Sequence, residues 1–102
     1  MQNTTGKSNP AVMNTARIIL PILKRHNITS ASIFGSFARG EDDKGSDLDL
    51  LVEFSGRIGL LGVMKVKFEL EEAIGKTVDL TSRDALHPAI RKNVLQEQIR
   101  IL

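Results

Sequence analysis

Asp47 and Asp49 are separated by one residue in the run D-L-D-L-L-V-E-F, and a third carboxylate, Asp79, sits in the apolar stretch Thr77 to Thr81. Strand side chains alternate faces, so Asp47 and Asp49 would share one face while Leu48, Leu50 and Val52 share the other. Residues two apart along a strand are roughly 6.5–7 Å apart. From that spacing two carboxylates can lean together onto cations about 3.5–4 Å apart. Val78 and Leu80 set Asp79 in the same alternating pattern. If the two strands are near neighbours, all three acids gather on one face. Like charges in apolar surroundings repel, and a cation relieves the cost. Oxygen-only ligands with a need for substrate phosphate point to Mg²⁺. Each part has an ordinary alternative: a solvated strand face for Asp47-Leu48-Asp49, and a cap or a pairing with Arg83 for Asp79. The combination carries the signal.

The second part is Gly35-Ser36, placed after the β-type run Ala31 to Phe34. Glycine lets a backbone approach a ligand closely. A strand that ends in Gly-Ser and runs into a helical turn presents N–H groups and a hydroxyl to an anion, and Arg39 adds a positive charge one turn on. Glu41, Asp42 and Asp43 are rival carboxylates that read as a solvated turn. Glu53 shares the face of Asp49 but lies further along the strand. His26 and His87 have no second histidine at ligand spacing, so neither reads as a metal ligand.

The elements that must position these residues follow from periodicity. Val12, Ala16, Ile19, Leu20 and Leu23 recur at helical spacing and predict a helix from about Asn14 to His26, kinked at Pro21 and ended near Asn27. Ser36 to Arg39 predicts one or two helical turns with Ser36 as N-cap, and Glu41 to Gly45 a polar turn. Asp47 to Phe54 is the clearest strand, and Ser55 to Gly59 a loop. Val63, Val66, Leu70 and Ile74 predict a helix over Leu60 to Ile74 with Gly75 just past its end. Thr77 to Thr81 reads as a strand. Pro88 opens a last helix to about Gln98, with Ile90 and Val94 towards the core. Three strands alternating with helices predict a small mixed sheet flanked by helices, an α/β (α+β) fold.

Composition narrows the function classes. The 102 residues are 41% apolar and 25% charged, as in a soluble globular domain, and contain no cysteine, which excludes disulfides and thiolate metal sites. The longest run without charged or polar residues, Ile58 to Met64, is too short to span a bilayer. Residues 1–10 are polar, lack the apolar segment of a secretory leader and read as a loose tail before a single domain over residues 11–102. A cytoplasmic location follows as the expectation. Residues 41–54 hold six acidic groups and one lysine, whereas residues 1–40 hold five basic groups and no acid. Acidity is therefore concentrated where the strand begins. With four Phe and no Trp or Tyr, there is no basic stripe with interleaved aromatics for nucleic acid.

Gly35-Ser36, ten intervening residues, Asp47-x-Asp49 and a later strand-borne Asp79 form one pattern. The stretch G-S-F-A-R-G-E-D-D-K-G-S-D-L-D-L-L-V-E-F resembles the signature of the DNA polymerase beta-like nucleotidyltransferases, and more closely the minimal nucleotidyltransferases of bacteria and archaea. The resemblance runs from about Val12 to Leu102, includes V-D-L-T-S at Val78 to Ser82, and shows no departure at the key positions. It implies the polymerase beta-like core. It also implies that Gly35 and Ser36 hold nucleotide phosphates, with Arg39 steadying the triphosphate. Asp47 and Asp49, helped by Asp79, would bind two Mg²⁺ ions, and Asp79 would take the proton of the attacking hydroxyl.

Larger relatives add domains that hold the acceptor, so here a protein acceptor is the simplest expectation. The resemblance implies a HEPN-domain ribonuclease toxin as partner, ATP as donor, and AMP transfer to a toxin tyrosine by an antitoxin. Two other expectations stand beside it. One is an antitoxin that masks its partner without catalysis, and the other an enzyme acting on a small molecule such as an aminoglycoside. On the helix over Leu60 to Ile74, Leu61, Met64 and Phe68 form a second apolar stripe. A fully buried core helix is its favoured explanation and a partner surface the other. A homo-oligomer, or a hetero-oligomer with the toxin, is compatible with either.

Overall fold

A computed structural model of the chain describes residues 10–40 and 47–102. The tail expected over residues 1–10 falls outside it except for Pro10, and so does the turn at Glu41 to Gly45.

Helix α1 spans Pro10–Arg25. It begins earlier than Asn14 because Pro10 suits a first helical turn, where its missing N–H is no loss. The helix continues through the exposed Pro21, and Lys24 and Arg25 complement the negative end of its dipole. Asn27 ends it at φ 60°, a left-handed conformation that Asn tolerates. Strand β1 is Ile28–Phe34, longer than its apolar run suggested. Its missed part, Ile28 to Ser30, carries two polar residues, Thr29 and the buried Ser30, which mask the apolar pattern. Helix α2 is Gly35–Ala38, β2 is Leu48–Phe54, α3 is Leu60–Ile74 and β3 is Val78–Ser82. Gly75 closes α3 at φ 73°, its N–H donating to the Glu71 carbonyl at 2.8 Å. A 3₁₀ turn over Arg83–Ala85 leads to α4, Pro88–Glu97. His87 caps α4: its Nδ1 accepts from the Ala89 N–H at 3.0 Å. The other histidine, His26, sets its Nε2 2.7 Å from Glu69 Oε1.

A fourth strand, β4, occupies Ile99–Arg100. Only three strands were expected, because two residues are too short to show a period and β4 exists through its pairing with β1. The sheet order is β3-β2-β1-β4, with β1 antiparallel to both β2 and β4 and β2 parallel to β3. The mixed sheet with flanking helices therefore stands as expected.

The two faces of the sheet have different tasks. Leu48, Leu50 and Val52 pack with Ala31, Ile33 and Val78 against α1 and α3, through Ile19, Leu23, Val66 and Leu70. The opposite face carries a smaller cluster of Leu51, Leu86 and Val94, with Phe34 packed against it. Val94 thus faces the core as expected, but Ile90 does not: it is 48% exposed. Helix α3 also departs from the fully buried helix. Val66 and Leu70 are 0% exposed, Val63 and Ile74 are only half-buried, and Leu61 and Phe68 are 85% and 55% exposed. One sheet face offers a groove for one side of each helix, and α1 already takes its share.

Leu50 is fully buried next to Asp49 in β2, on the opposite face of the sheet. Leu50→Ala should cost about 2–5 kcal/mol in urea denaturation, since a cavity forms where the sheet meets α1 and α3. A loss below about 0.5 kcal/mol would contradict this placement of the core.

Candidate active site

The site is built by strand register. Asp49 of β2 lies opposite Phe34 of β1 on one side and opposite Asp79 of β3 on the other. Neighbouring strands are about 4.8 Å apart, so Asp49 and Asp79 stand side by side on one face, as the alternation required. Asp47 is exposed and immediately precedes β2 instead of opening it. The Leu48 N–H donates to the Thr77 carbonyl at 2.8 Å, which fixes the start of β2 against the approach to β3.

Gly35 follows Phe34 at φ 79°. That conformation alone favours glycine, and a second constraint is stricter. A Cβ on Gly35 would lie 2.3 Å from Asp49 Oδ2. The sequence suggested that this glycine admits a ligand; the geometry adds that it admits the carboxylate of Asp49. Ser36 is half-buried within the first turn of α2. It was expected as the N-cap, but the cap position is Phe34, without a side-chain cap bond. The left-handed turn at Gly35 sets the cap two residues sooner.

Two arginines were candidates to accompany the acids. The Arg39 Nη1 donates to Glu97 Oε1 at 2.6 Å, tying the end of α2 to α4. Arg39 is thus anchored, and its charge still acts on Asp49. Arg83 Nε lies 3.6 Å from Glu53 Oε1, so the alternative in which Arg83 pairs with Asp79 is not what forms. Sequence reasoning missed Glu71. Its Oε2 accepts from the Val78 N–H at 2.9 Å and from Lys67 Nζ at 2.5 Å, and it pins β3 one residue before Asp79. The Lys67 bond, followed by the Val78 bond, holds its carboxyl below the ordinary value. An acid three residues from a helix end, just before a strand, was the available signal.

The electrostatics single out Asp49. Burial, then the charges of Asp79 and Asp47, raise its pKa above the ordinary 3.8, while Arg39 opposes the rise. A half-buried carboxylate that feels the charges of two others calls for positive countercharge. Among the described residues, no three His, Cys, Asp or Glu side chains already form a metal-binding group. Mg²⁺ does not need such a cage: it is held by one or two carboxylates, with water and substrate phosphate completing its shell. The all-oxygen donor set, the mutual repulsion and the space reserved at Gly35 fit that ion. Glu41, Asp42 and Asp43 lie outside the described residues.

The family described as polymerase beta, nucleotidyltransferase matches residues 18–102. The candidate protein adenylyltransferase MJ0435 of Methanocaldococcus jannaschii is 44% identical over 86 residues, covering 84% of this chain and 92% of that protein. The protein adenylyltransferase MntA of Thermococcus cleftensis is 35% identical over 78 residues, covering 76% of this chain and 79% of that protein. Among solved structures, a candidate minimal nucleotidyltransferase is 38% identical with a TM-score of 0.76, covering 87% of this chain and 91% of that one. Two more distant structures share the fold. One is a toxin–antitoxin with AMP-PNP, at 18% identity and TM-score 0.75, covering 85% of this chain and 72% of that one. The other is a tri-AMPylated Shewanella oneidensis HEPN toxin in complex with an MNT antitoxin, at 15% identity and TM-score 0.69, covering 88% and 71%.

The raised pKa of Asp49 has a consequence for stability. The folded chain holds this proton more tightly than the unfolded chain, so the ionised carboxylate costs stability above its folded pKa. The cost is withdrawn as pH falls through the folded value towards the ordinary 3.8. Asp49→Asn should therefore melt at a higher temperature than wild type near pH 7 in EDTA, and the gap should close in acid. A gap that does not change with pH would refute this electrostatic account.

Proposed function

The chain belongs to the polymerase beta nucleotidyltransferase family, and from that premise we propose that it transfers AMP from ATP to a hydroxyl of a partner protein. The partner in this proposal is a HEPN ribonuclease toxin, the acceptor is a toxin tyrosine, and the transfer makes this chain an antitoxin. One observation supports the catalytic part: the Asp49 carboxylate lies against Gly35 at the start of α2 and in register with Asp79 of β3. The relatives named as protein adenylyltransferases support a protein acceptor. The solved toxin–antitoxin assemblies, one with AMP-PNP and one with an AMPylated HEPN toxin, support the donor and the partner.

In this proposal Gly35 and Ser36 receive the phosphates on their backbone N–H groups and the Ser36 hydroxyl at the start of α2. Asp47, Asp49 and Asp79 hold two Mg²⁺ ions, which when bound supply countercharge to both the attacking and the leaving oxygen. Arg39, held in place by Glu97, lends positive potential to the triphosphate side. Asp79 is exposed, so an acceptor hydroxyl can reach it. The hydroxyl oxygen bonds to the α-phosphorus, the bond to pyrophosphate breaks, and the hydroxyl proton passes to the Asp79 carboxylate. Asp49 is held too deeply between neighbours to serve as that base, and its part is to orient and bind.

The test is the intact mass of a HEPN partner after incubation with this chain, ATP and Mg²⁺. An AMP-sized gain is expected. Asp47→Asn and Asp49→Asn should each reduce it by about 10²–10³-fold or more while leaving the circular dichroism spectrum unchanged. Gly35→Ala should do likewise, because its methyl group displaces Asp49. A stable complex with no mass gain would replace this reading with an antitoxin that only masks its partner. Full activity in Asp49→Asn would remove the acids from the mechanism.

A further inference from the structure

Helix α3 leaves an apolar stripe uncovered on its outer side. Leu60, Leu61, Met64 and Phe68 are 76%, 85%, 36% and 55% exposed, whereas Val66 and Leu70 on the opposite side are fully buried. The stripe belongs to the helical layer over Leu48, Leu50 and Val52, while Asp49 points to the other face of the sheet. The stripe and the acidic residues are therefore on opposite sides of the sheet.

The charges of α3 indicate what covers it. Lys67 pairs with Glu71, and Glu69 receives both Arg25 and His26. Lys65 and Glu72 are the exceptions. Both are exposed, and neither has an ion pair among the described residues. They lie two helical turns apart, about 10.5 Å along the axis, on the same flank of Phe68. A residue pattern of this kind is self-complementary. When a second α3 lies antiparallel across a two-fold axis, position along the helix is reversed and the flank is kept. Lys65 of one copy then meets Glu72 of the other, and the mirror pair forms at the far end. The two Phe68 rings meet near the axis, and Met64 extends the contact.

We propose that this surface is an isologous interface, and that its occupant is a second copy of this chain, bound through α3 packed antiparallel on α3. The two acidic faces then point away from each other, each open to its own acceptor. The apolar stripe supplies affinity, and the two ion pairs select the antiparallel register. The proposal does not depend on the acceptor or the chemistry assigned above.

Sedimentation equilibrium of the full chain at up to about 100 μM tests it, in the range where a small interface of this kind associates. A reversible dimer is expected. Phe68→Glu should weaken it by about 100-fold, since it puts a charge at the centre of the contact, and circular dichroism should report an unchanged fold because the residue is exposed. Lys65→Glu and Glu72→Lys should each weaken self-association by about tenfold, since each sets like charges opposite one another. An equimolar mixture of those two variants should regain the dimer, because both pairs re-form between unlike copies. A wild-type chain that stays monomeric throughout overturns the proposal. So does a Phe68→Glu variant that dimerises as wild type does, or a mixture that fails to recover.

Discussion

The arrangement depends on the approach of the Asp49 carboxylate to the Cα of Gly35. With Oδ2 where a Cβ would have to be, no other residue type fits at position 35 without displacing the acid. The β1–β2 register enforces the approach. Phe34 is opposite Asp49, so the first residue after β1 must turn beside that side chain. The left-handed φ of Gly35 then directs the chain into α2 and away from the sheet. Register, turn and carboxylate are thus a single constraint. A slip of one residue between β1 and β2 would send Asp49 into the apolar face and Leu50 into the acids.

The alternation of β2 lets one seven-residue strand serve both stability and chemistry. Leu48, Leu50 and Val52 are at most 1% exposed and anchor the sheet to α1 and α3. Asp49, between them, is held where its ionised form is unfavourable. Burying a leucine stabilises by about 1.5–3 kcal/mol, so the apolar residues on either side offset the cost of a repelled, half-buried carboxylate. Glu71 extends the logic to β3. It accepts the Val78 N–H, and with Lys67 beside it the charge is compensated outside the acidic face.

Much of this was legible in the sequence because it rests on local pattern. The period of two in Asp47 to Phe54 identified the strand and its two faces, with Asp49 opposite the face of Leu48, Leu50 and Val52. The steps of three and four in Leu60 to Ile74 gave α3 its correct ends, with Gly75 at its close. What escaped notice rests on tertiary partners. β4 is two residues long and exists because β1 offers it an edge. Thr29 and Ser30 hid the first half of β1, since polar residues beside a helix end read as loop. Ser36 looked like a cap because Ser often is one, but the backbone turn at Gly35 had already opened the helix. Ile90 sits at helical spacing from Val94, yet α4 is short and covers only a narrow strip around Leu51 and Leu86, which Val94 alone suffices to fill.

Two groups of charges on this chain behave in opposite ways, and the contrast separates site from surface. Between α1 and α3, Arg25 pairs with Glu69, and along α3 Lys67 pairs with Glu71, so these charges are compensated within the fold, and such pairs add little beyond local order. Where β2 and β3 begin, Asp47, Asp49 and Asp79 are placed so that they repel, with one anchored arginine as partial relief. A fold selected for stability alone would separate those acids or replace one of them, because exposed strand positions accept many residues at little cost. The geometry instead keeps the repulsion and removes the Cβ that would relieve it by displacing Asp49. Stored repulsion of this kind is useful only if something positive arrives to discharge it, and the pairing of Asp49 with Asp79 fixes where that must happen.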